Sequence, residues 1–479
     1  MRHVRLLLLM VLCSVGIVQG QTFRYELFDH DHISPDIYAQ RRARVVASLP
    51  EGAVAVIQSA DVRNRQNDVD YEYRQNSNML YLTGFPHPGA VLVLCGRGIP
   101  VGDSVYTEVL FVPKRDPSSE QWTGVTAGPQ EAMDVYGLQM AAVSTELVPT
   151  LDRLFADERG QDGSPSNLPR SSQRRLYLDG WPTKSIPLLL LGKNLYIDSD
   201  VKRDLRERYG NISITSRLAV LDTLREVKDT AELRLMRKAI AITIDGHRRA
   251  MQAAEPGMTE YQIEAFMEFG FKHGGAEDVG YPSIVGSSYN ACILHYTTNR
   301  RAASTGDLIL ADCGAEYHGY TADITRTFPL SGRFTNDQRA IYNIVLEAQD
   351  SGIAACVAGA SFRAPHEAAA RVIGRGLAAL GIISDANDAA EIRQYFMHGT
   401  SHYLGLDVHD AGTRGPLRPQ TVLTVEPGIY IAAGSPCDPR WWNIGVRIED
   451  DILVTPSGPV NLSAELERTA EDIEALMKR

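Results

Sequence analysis

Asp312 and Asp323 in LILADCGAEYHGYTADITRTFP, His402 in MHGTSHYLGLDVHDAG, Glu426 in TVLTVEPGIYI and Glu449 in IGVRIEDDILV place four carboxylates and one imidazole in the last third of the chain. The set is hard and oxygen-rich, which suits manganese better than a structural zinc, and it carries too much charge for one ion. Two divalent ions shared among four carboxylates come close to neutrality. Such a pair, roughly 3.5–4 Å apart, can activate a water and clamp both oxygens of a developing tetrahedral intermediate.

The surrounding residues predict how the acids are held. Asp312 ends the apolar run LILA, and Gly314 and Gly319 bracket a short connection to the next extended run, which predicts a β-hairpin with Asp312 and Asp323 side by side. Glu426 ends the strand-like run VLTV before Pro427-Gly428, and Glu449 falls in a third extended run with Val446 and Ile448. Carboxylates at the ends of apolar strands are costly to bury unless they are paired or bind metal.

Histidines complete the inventory. His295 lies in ILHYTTN, His398 and His402 flank GTS, and His409 precedes Asp410. The four-residue spacing of His398 and His402 could put two ligands on one helical face, but Gly399 and the missing glutamate break the zinc-protease pattern.

The supporting elements are predicted from periodicity. Two domains are expected from a chain of 479 residues with 44% hydrophobic content. The first runs from Phe23 to Leu221 and alternates runs such as AVAVIQ and AVLVLCG with helical stretches. Its segment Glu158–Ser172 is rich in Gly, Ser, Pro and charge and reads as a loop. The second spans 222–479, giving an α/β (α+β) chain overall. Near its start Asp229 and Glu232 form a capping-box pattern, with Leu233, Met236, Ile240 and Ile244 on one helical face. Thr259 and Gln262 cap a second helix, whose predicted buried stripe is Ile263, Phe266, Met267 and Phe271. Neither helix carries a proposed ligand; both would support the strands that do.

Formal net charge is −11. An acidic balance argues against nucleic acid and anionic membrane as partners. The N-terminus has a basic start (MRHVR), a short apolar centre (LLLLMVLCSVGIV) and a small-residue exit before QTFRYE, which describes a secretory signal cut after Gly20. Its apolar centre is short for a membrane span, so no stable insertion is expected once residues 1–20 are removed. Loss of Arg2 and Arg5 takes the charge from −11 to −13. Export to periplasm or medium follows as an expectation. The remaining cysteines, Cys95, Cys292, Cys313, Cys356 and Cys437, are scattered and odd in number, which is no disulfide framework. Cys313, beside a proposed ligand, is expected as a small core residue.

The ordered motifs HYTTN at 295–299, DCG…ADITRTF, HGTSHYLGLDVHD, EPGIY and RIEDD resemble the metal-dependent peptidases of pita-bread fold, a group that includes methionine aminopeptidase, aminopeptidase P, prolidase and creatinase. The resemblance is strongest to the aminopeptidase P family, because YRQNSNMLYLTGFPHPGAVLVL at 73–94 is similar to that family's N-terminal domain. It implies a creatinase/prolidase-type N-terminal domain followed by a pita-bread catalytic domain. The implied activity is release of the first residue from peptides with proline second, by attack of a hydroxide held between two divalent ions, Mn2+ in the first instance and Co2+ or Zn2+ otherwise. In the family pattern Asp312 holds one ion, Asp323 and Glu449 bridge both, and His402 with Glu426 complete the other. Glu426 is then the proton shuttle, and His295 or His409 donates to the carbonyl oxygen. Arg447 and Tyr430 orient a ligating carboxylate or substrate, with His398 as a supporting or packing residue. A homodimer or homotetramer is implied as well. Prolidase shares every metal ligand and is the alternative within this chemistry. A metal-free peptide-binding module on the same fold is the alternative outside it, and the intact ligand set argues against that. Creatinase-like hydrolysis is disfavoured because those relatives lack the metal ligands.

Overall fold

A computed structural model describes residues 24–156, 174–179, 186–188, 193–195, 198–209, 212–215 and 217–478. The expected secretory segment and the loop expected over 158–172 lie outside these residues.

The N-terminal part is organised by a six-stranded mixed sheet. In spatial order its strands are Ile212–Thr215, Arg174–Asp179, Val54–Gln58, Val91–Val101, Ser104–Val112 and Ala141–Val143. Both faces of this sheet are covered, which is why VAVIQ and VLVLC are continuously apolar and not alternating. Val54, Val56, Val91 and Val93 face one core with Leu147, Leu151 and Phe155 of the helix Leu147–Ala156. Ala55, Ile57, Leu92 and Leu94 face the other, which is continuous with the core of the C-terminal part. On that second face the helix Pro35–Ser48 buries Arg42, whose Nε donates to Glu108 at 2.8 Å. The remaining guanidinium nitrogens of Arg42 donate to the carbonyls of Leu82 and Gly137, so the buried cation is fully partnered.

The C-terminal part surrounds short antiparallel strands with two helix pairs. Thr230–Ala253 packs on Glu260–His273, and Asn336–Ala354 packs on Ala364–Ala379. The expected capping boxes at Asp229/Glu232 and Thr259/Gln262 are both formed. The first pair crosses where Gly246 meets Gly270, since a Cβ on Gly270 would lie 2.8 Å from the Gly246 Cα. One expectation fails: Phe266 is exposed, beside exposed Phe269. The buried line on that helix follows Ile263, Met267 and Phe271 at four-residue spacing, and Phe266 lies off it.

The strand Leu308–Asp312 pairs antiparallel with Thr325–Pro329 and, on its other side, with Ile284–Ser287. The hairpin expected between Asp312 and Asp323 forms, with a smaller hairpin of Ala315–Tyr317 and Tyr320–Thr321 nested at its end. The arms close tightly, for a Cβ on Gly314 would lie 2.0 Å from the Ala322 carbonyl oxygen. Val422–Val425 pairs with Asp450–Thr455, and Gly428–Ile431 pairs with Ile444–Arg447. The extended run expected to carry Glu449 is therefore interrupted: one strand ends at Arg447, another sheet's strand starts at Asp450, and Glu449 lies in the break. The domain boundary drawn after Leu221 falls inside a helix, Ala219–Glu226, that joins the two parts. All five cysteines among the described residues are free, and Cys313 is buried as expected.

Candidate active site

The five predicted ligand residues converge. Asp312 stands opposite Thr325 in the strand register, and Asp323 lies two residues before Thr325 on the same arm. Glu449 is fastened to that arm, with its backbone N–H donating to the Thr325 carbonyl at 3.1 Å and its Oε2 accepting from the Thr325 hydroxyl at 2.6 Å. His402 runs beside the strand Val422–Val425, where Thr424 N–H donates to the His402 carbonyl at 3.0 Å and Glu426 N–H to that of Thr400 at 2.9 Å. Backbone ladders thus fix both groups before any side chain is considered.

His402 Nδ1 donates to the Tyr403 carbonyl at 3.1 Å, so Nε2 faces Asp323 Oδ2 at 3.3 Å and Glu426 Oε1 at 3.5 Å. Asp323, His402 and Glu449 each bring one donor atom to within 4.8 Å of the others. Asp312 and Glu426 stand at the edges of that trio. Asp312 accepts from the Tyr281 hydroxyl at 2.6 Å on Oδ1 and from Arg447 Nη2 at 2.6 Å on Oδ2.

The electrostatics call for a cation. Burial, reinforced by the Asp323 and Asp312 charges, pushes the Glu426 carboxyl up to about 7 against the opposing pull of His402 and Arg447. Burial and the three neighbouring carboxylates lift Glu449 well above the usual range. Burial disfavours the His402 cation, but its hydrogen bond to Asp323 and the Glu426 charge outweigh that and raise it to about 9. Behind Asp323, the buried Asp451 Oδ1 has no hydrogen-bond partner. Three buried carboxylates and a fourth, half-buried one, with one arginine and one histidine to offset them and oxygen as every donor but one, fit divalent metal ions.

The other predicted residues surround this cluster. Arg447 Nη1 donates to the Tyr430 hydroxyl at 2.9 Å, and that hydroxyl lies 2.8 Å from His398 Nε2. His398 Nδ1 faces the Gly399 carbonyl, and burial together with the Arg447 charge lowers this imidazole to about 4, so it is neutral and accepts from Tyr430. His409 packs its ring 4.2 Å from that of His402, centroid to centroid. It also lines a cavity of about 1020 Å³ between the two parts of the chain, with Tyr73, Asn78 and Asp278 among the other walls. His295 is exposed in the turn after the 3-10 helix Ser288–Cys292, close enough for its charge to depress both His398 and His409.

Sequence reasoning missed Tyr281, Thr325 and Asp451. Thr325 had a signal, since it lies two residues from Asp323 in an extended run and so on the same face. Asp451 had the same kind of signal, two residues beyond Glu449 in RIEDD, whereas Tyr281 had none, because its contact depends on pairing between distant strands.

Residues 234–456 match metallopeptidase family M24, and residues 38–161 match the aminopeptidase P N-terminal domain. The Xaa-Pro aminopeptidase of Escherichia coli strain K12 is 37% identical over 456 residues, covering 93% of this chain and 98% of that protein. The structure of Pseudomonas aeruginosa aminopeptidase PepP aligns with a TM-score of 0.80 at 36% identity, over 94% of this chain and 99% of that one. Zinc-substituted E. coli aminopeptidase P in complex with product aligns with a TM-score of 0.80 at 36% identity, over 93% and 98% of the two chains.

Proposed function

This chain belongs to metallopeptidase family M24, with an aminopeptidase P N-terminal domain ahead of its catalytic domain, and from that premise we propose that it is a metal-dependent Xaa-Pro aminopeptidase. It removes the N-terminal residue from peptides with proline in second position. The observation that carries this reading is the convergence of Asp312, Asp323, His402, Glu426 and Glu449 on one buried cluster, in a chain similar along its length to Xaa-Pro aminopeptidases. The catalytic domain has the pita-bread architecture of those relatives.

Asp312, Asp323, His402, Glu426 and Glu449 would together hold two divalent ions. The hard donors favour manganese, and cobalt or zinc can occupy the same set. Bound ions supply a water acidic enough to react near neutral pH and polarise the scissile carbonyl. Glu426 accepts a proton from the attacking water and delivers it to the departing prolyl nitrogen. His295 or His409 donates a hydrogen bond to the carbonyl oxygen as its charge grows. Burial lowers His409, which favours the neutral ring with one N–H to give. Arg447 fixes Asp312 and, through the Tyr430 hydroxyl, His398.

Domains over 23–221 and 222–479, export after loss of residues 1–20, and assembly as a homodimer or homotetramer complete the proposal. The deciding experiment measures release of the first residue from an Xaa-Pro-Yaa tripeptide beside an Xaa-Pro dipeptide, each with added manganese and with a chelator. Chelator-sensitive cleavage favouring the tripeptide supports the reading, and cleavage confined to the dipeptide makes the protein a prolidase. Absence of both activities, with no stoichiometric metal, makes it a binding module.

A further inference from the structure

The segment that carries His409 is held by the joining helix and, beyond it, by the N-terminal domain. Asp410, the next residue, accepts from Arg225 Nη2 on Oδ1 and from Lys228 Nζ at 2.9 Å on Oδ2. These three side chains are 2%, 4% and 0% exposed, so the charges are withdrawn from water. Arg225 and Lys228 lie at and just beyond the end of the joining helix Ala219–Glu226. Arg225 also donates to Asp407 Oδ2 at 2.7 Å and, through Nη1, to Asn78 Oδ1 at 2.8 Å. From the N-terminal domain, Ser77 Oγ donates to the other Asp407 oxygen at 2.5 Å, and Arg74 reaches the Leu406 carbonyl. The segment closes on itself where Asp410 N–H donates to the Tyr403 carbonyl at 2.9 Å. Nothing larger fits beneath it, for a Cβ on Gly405 would lie 2.2 Å from Asp410 Oδ2.

We infer that Asp410, clasped by Arg225 and Lys228, is a positioning residue for the hydrolytic reaction, through which the N-terminal domain and the joining helix fix His409 against the substrate. This rests on the reading of His409 as a substrate contact. A buried carboxylate between two buried cations is a poor source of stability compared with apolar packing of the same volume. What the arrangement supplies is direction. Donors on both oxygens fix the torsions of the side chain next to His409, and the same arginine ties that point to Asn78 across the domain boundary. An error of about 1 Å in a substrate-contacting group can cost on the order of a hundredfold in rate, which is the scale on which such a clasp would act.

The test uses the manganese-loaded enzyme and an Xaa-Pro-Yaa peptide. Asp410→Asn keeps the size and removes the charge. Asn78→Ala removes the hydrogen bond to Arg225, together with one that Asn78 Nδ2 donates to Asp179, and leaves the buried ion pairs in place. Each is made alone and in a His409→Ala background, with kcat, KM, bound metal and melting temperature recorded. The expected result is a fall in kcat of about tenfold or more for Asp410→Asn and about threefold for Asn78→Ala, with metal content unchanged and KM affected less than kcat. In the His409→Ala background both effects shrink below about twofold, because the group they act through is gone. If Asp410→Asn cannot be purified folded, the Asn78→Ala pair decides between the same outcomes. Equal losses in both backgrounds, or a lowered melting temperature with unchanged kcat, overturn the inference. A His409→Ala enzyme with full turnover removes the premise and the inference together, and is recognised because it fails before any second substitution is made.

Discussion

Arg447 and Asp312 face each other at 2.6 Å inside the protein, and the same guanidinium donates to Thr325 Oγ1 at 3.2 Å and to the Tyr430 hydroxyl at 2.9 Å. One planar cation thereby fixes a proposed ligand, the threonine that holds Glu449, and the hydroxyl that meets His398. Lysine carries the charge but cannot make three divergent donations from a rigid plane. Arg447→Lys is expected to cut turnover by about ten- to a hundredfold. Steady-state kinetics on an Xaa-Pro-Yaa peptide check this, and a rate near that of the parent enzyme would count against the orienting role.

Asp323 is the carboxylate nearest His402 Nε2 and one of the trio within 4.8 Å. Asparagine at this position keeps the shape and halves the donor capacity. Asp323→Asn should abolish activity and lower bound metal with little loss of fold, as read by elemental analysis and circular dichroism. Near-normal turnover in that variant would sink the dinuclear reading.

Stripping the metal should make stability depend on pH in a defined direction. Glu426 rises from 4.5 to about 7 and His402 from 6.5 to about 9 in the metal-free fold. For both groups the folded chain binds protons that the unfolded chain has already released. Their contribution is complete below the unfolded values and is lost as pH rises through the folded ones. Metal replaces those protons. The gap in melting temperature between loaded and chelated protein is therefore expected to widen from about pH 5 to about pH 9. A gap that is constant, or that narrows, contradicts this account.

Arg42 and Glu108 test stability apart from catalysis. Both are buried, and Glu108 is the carboxylate that compensates the Arg42 charge. Glu108→Gln leaves that charge uncompensated, at an expected cost of about 3–5 kcal/mol. Urea unfolding of the metal-loaded protein would register the loss. Turnover per folded molecule should stay at the parent value, since neither residue approaches the proposed ligands.

The sequence was most legible where a residue type and its immediate neighbours settle the outcome. Asp312, Glu426 and the capping residues Asp229 and Thr259 are recognisable because each stands at the edge of an apolar or helical run, and the chain folds locally as that edge requires. The expected strand through Glu449 was only partly right, because the switch from one sheet to the next after Arg447 depends on which partners are available. Tyr281 and the grip of Arg74, Ser77 and Asn78 on residues 406–410 were invisible for the same reason. Phe266 shows the converse error: hydrophobicity suggested burial, while the line of contact with Gly246 left that face of the helix open.

The proposed donors are supplied by separate strand pairs, Asp312 and Asp323 by one, His402 and Glu426 by a second, and Glu449 where that second pair meets a third. During synthesis the aspartates leave the ribosome long before Glu449 has been added, and two carboxylates without their partners retain a divalent ion poorly. Metallation is consequently expected late in biogenesis, once His402, Glu426 and Glu449 have joined the aspartates. Nascent chains arrested before His402 should release their metal on simple dilution, while the completed protein keeps it.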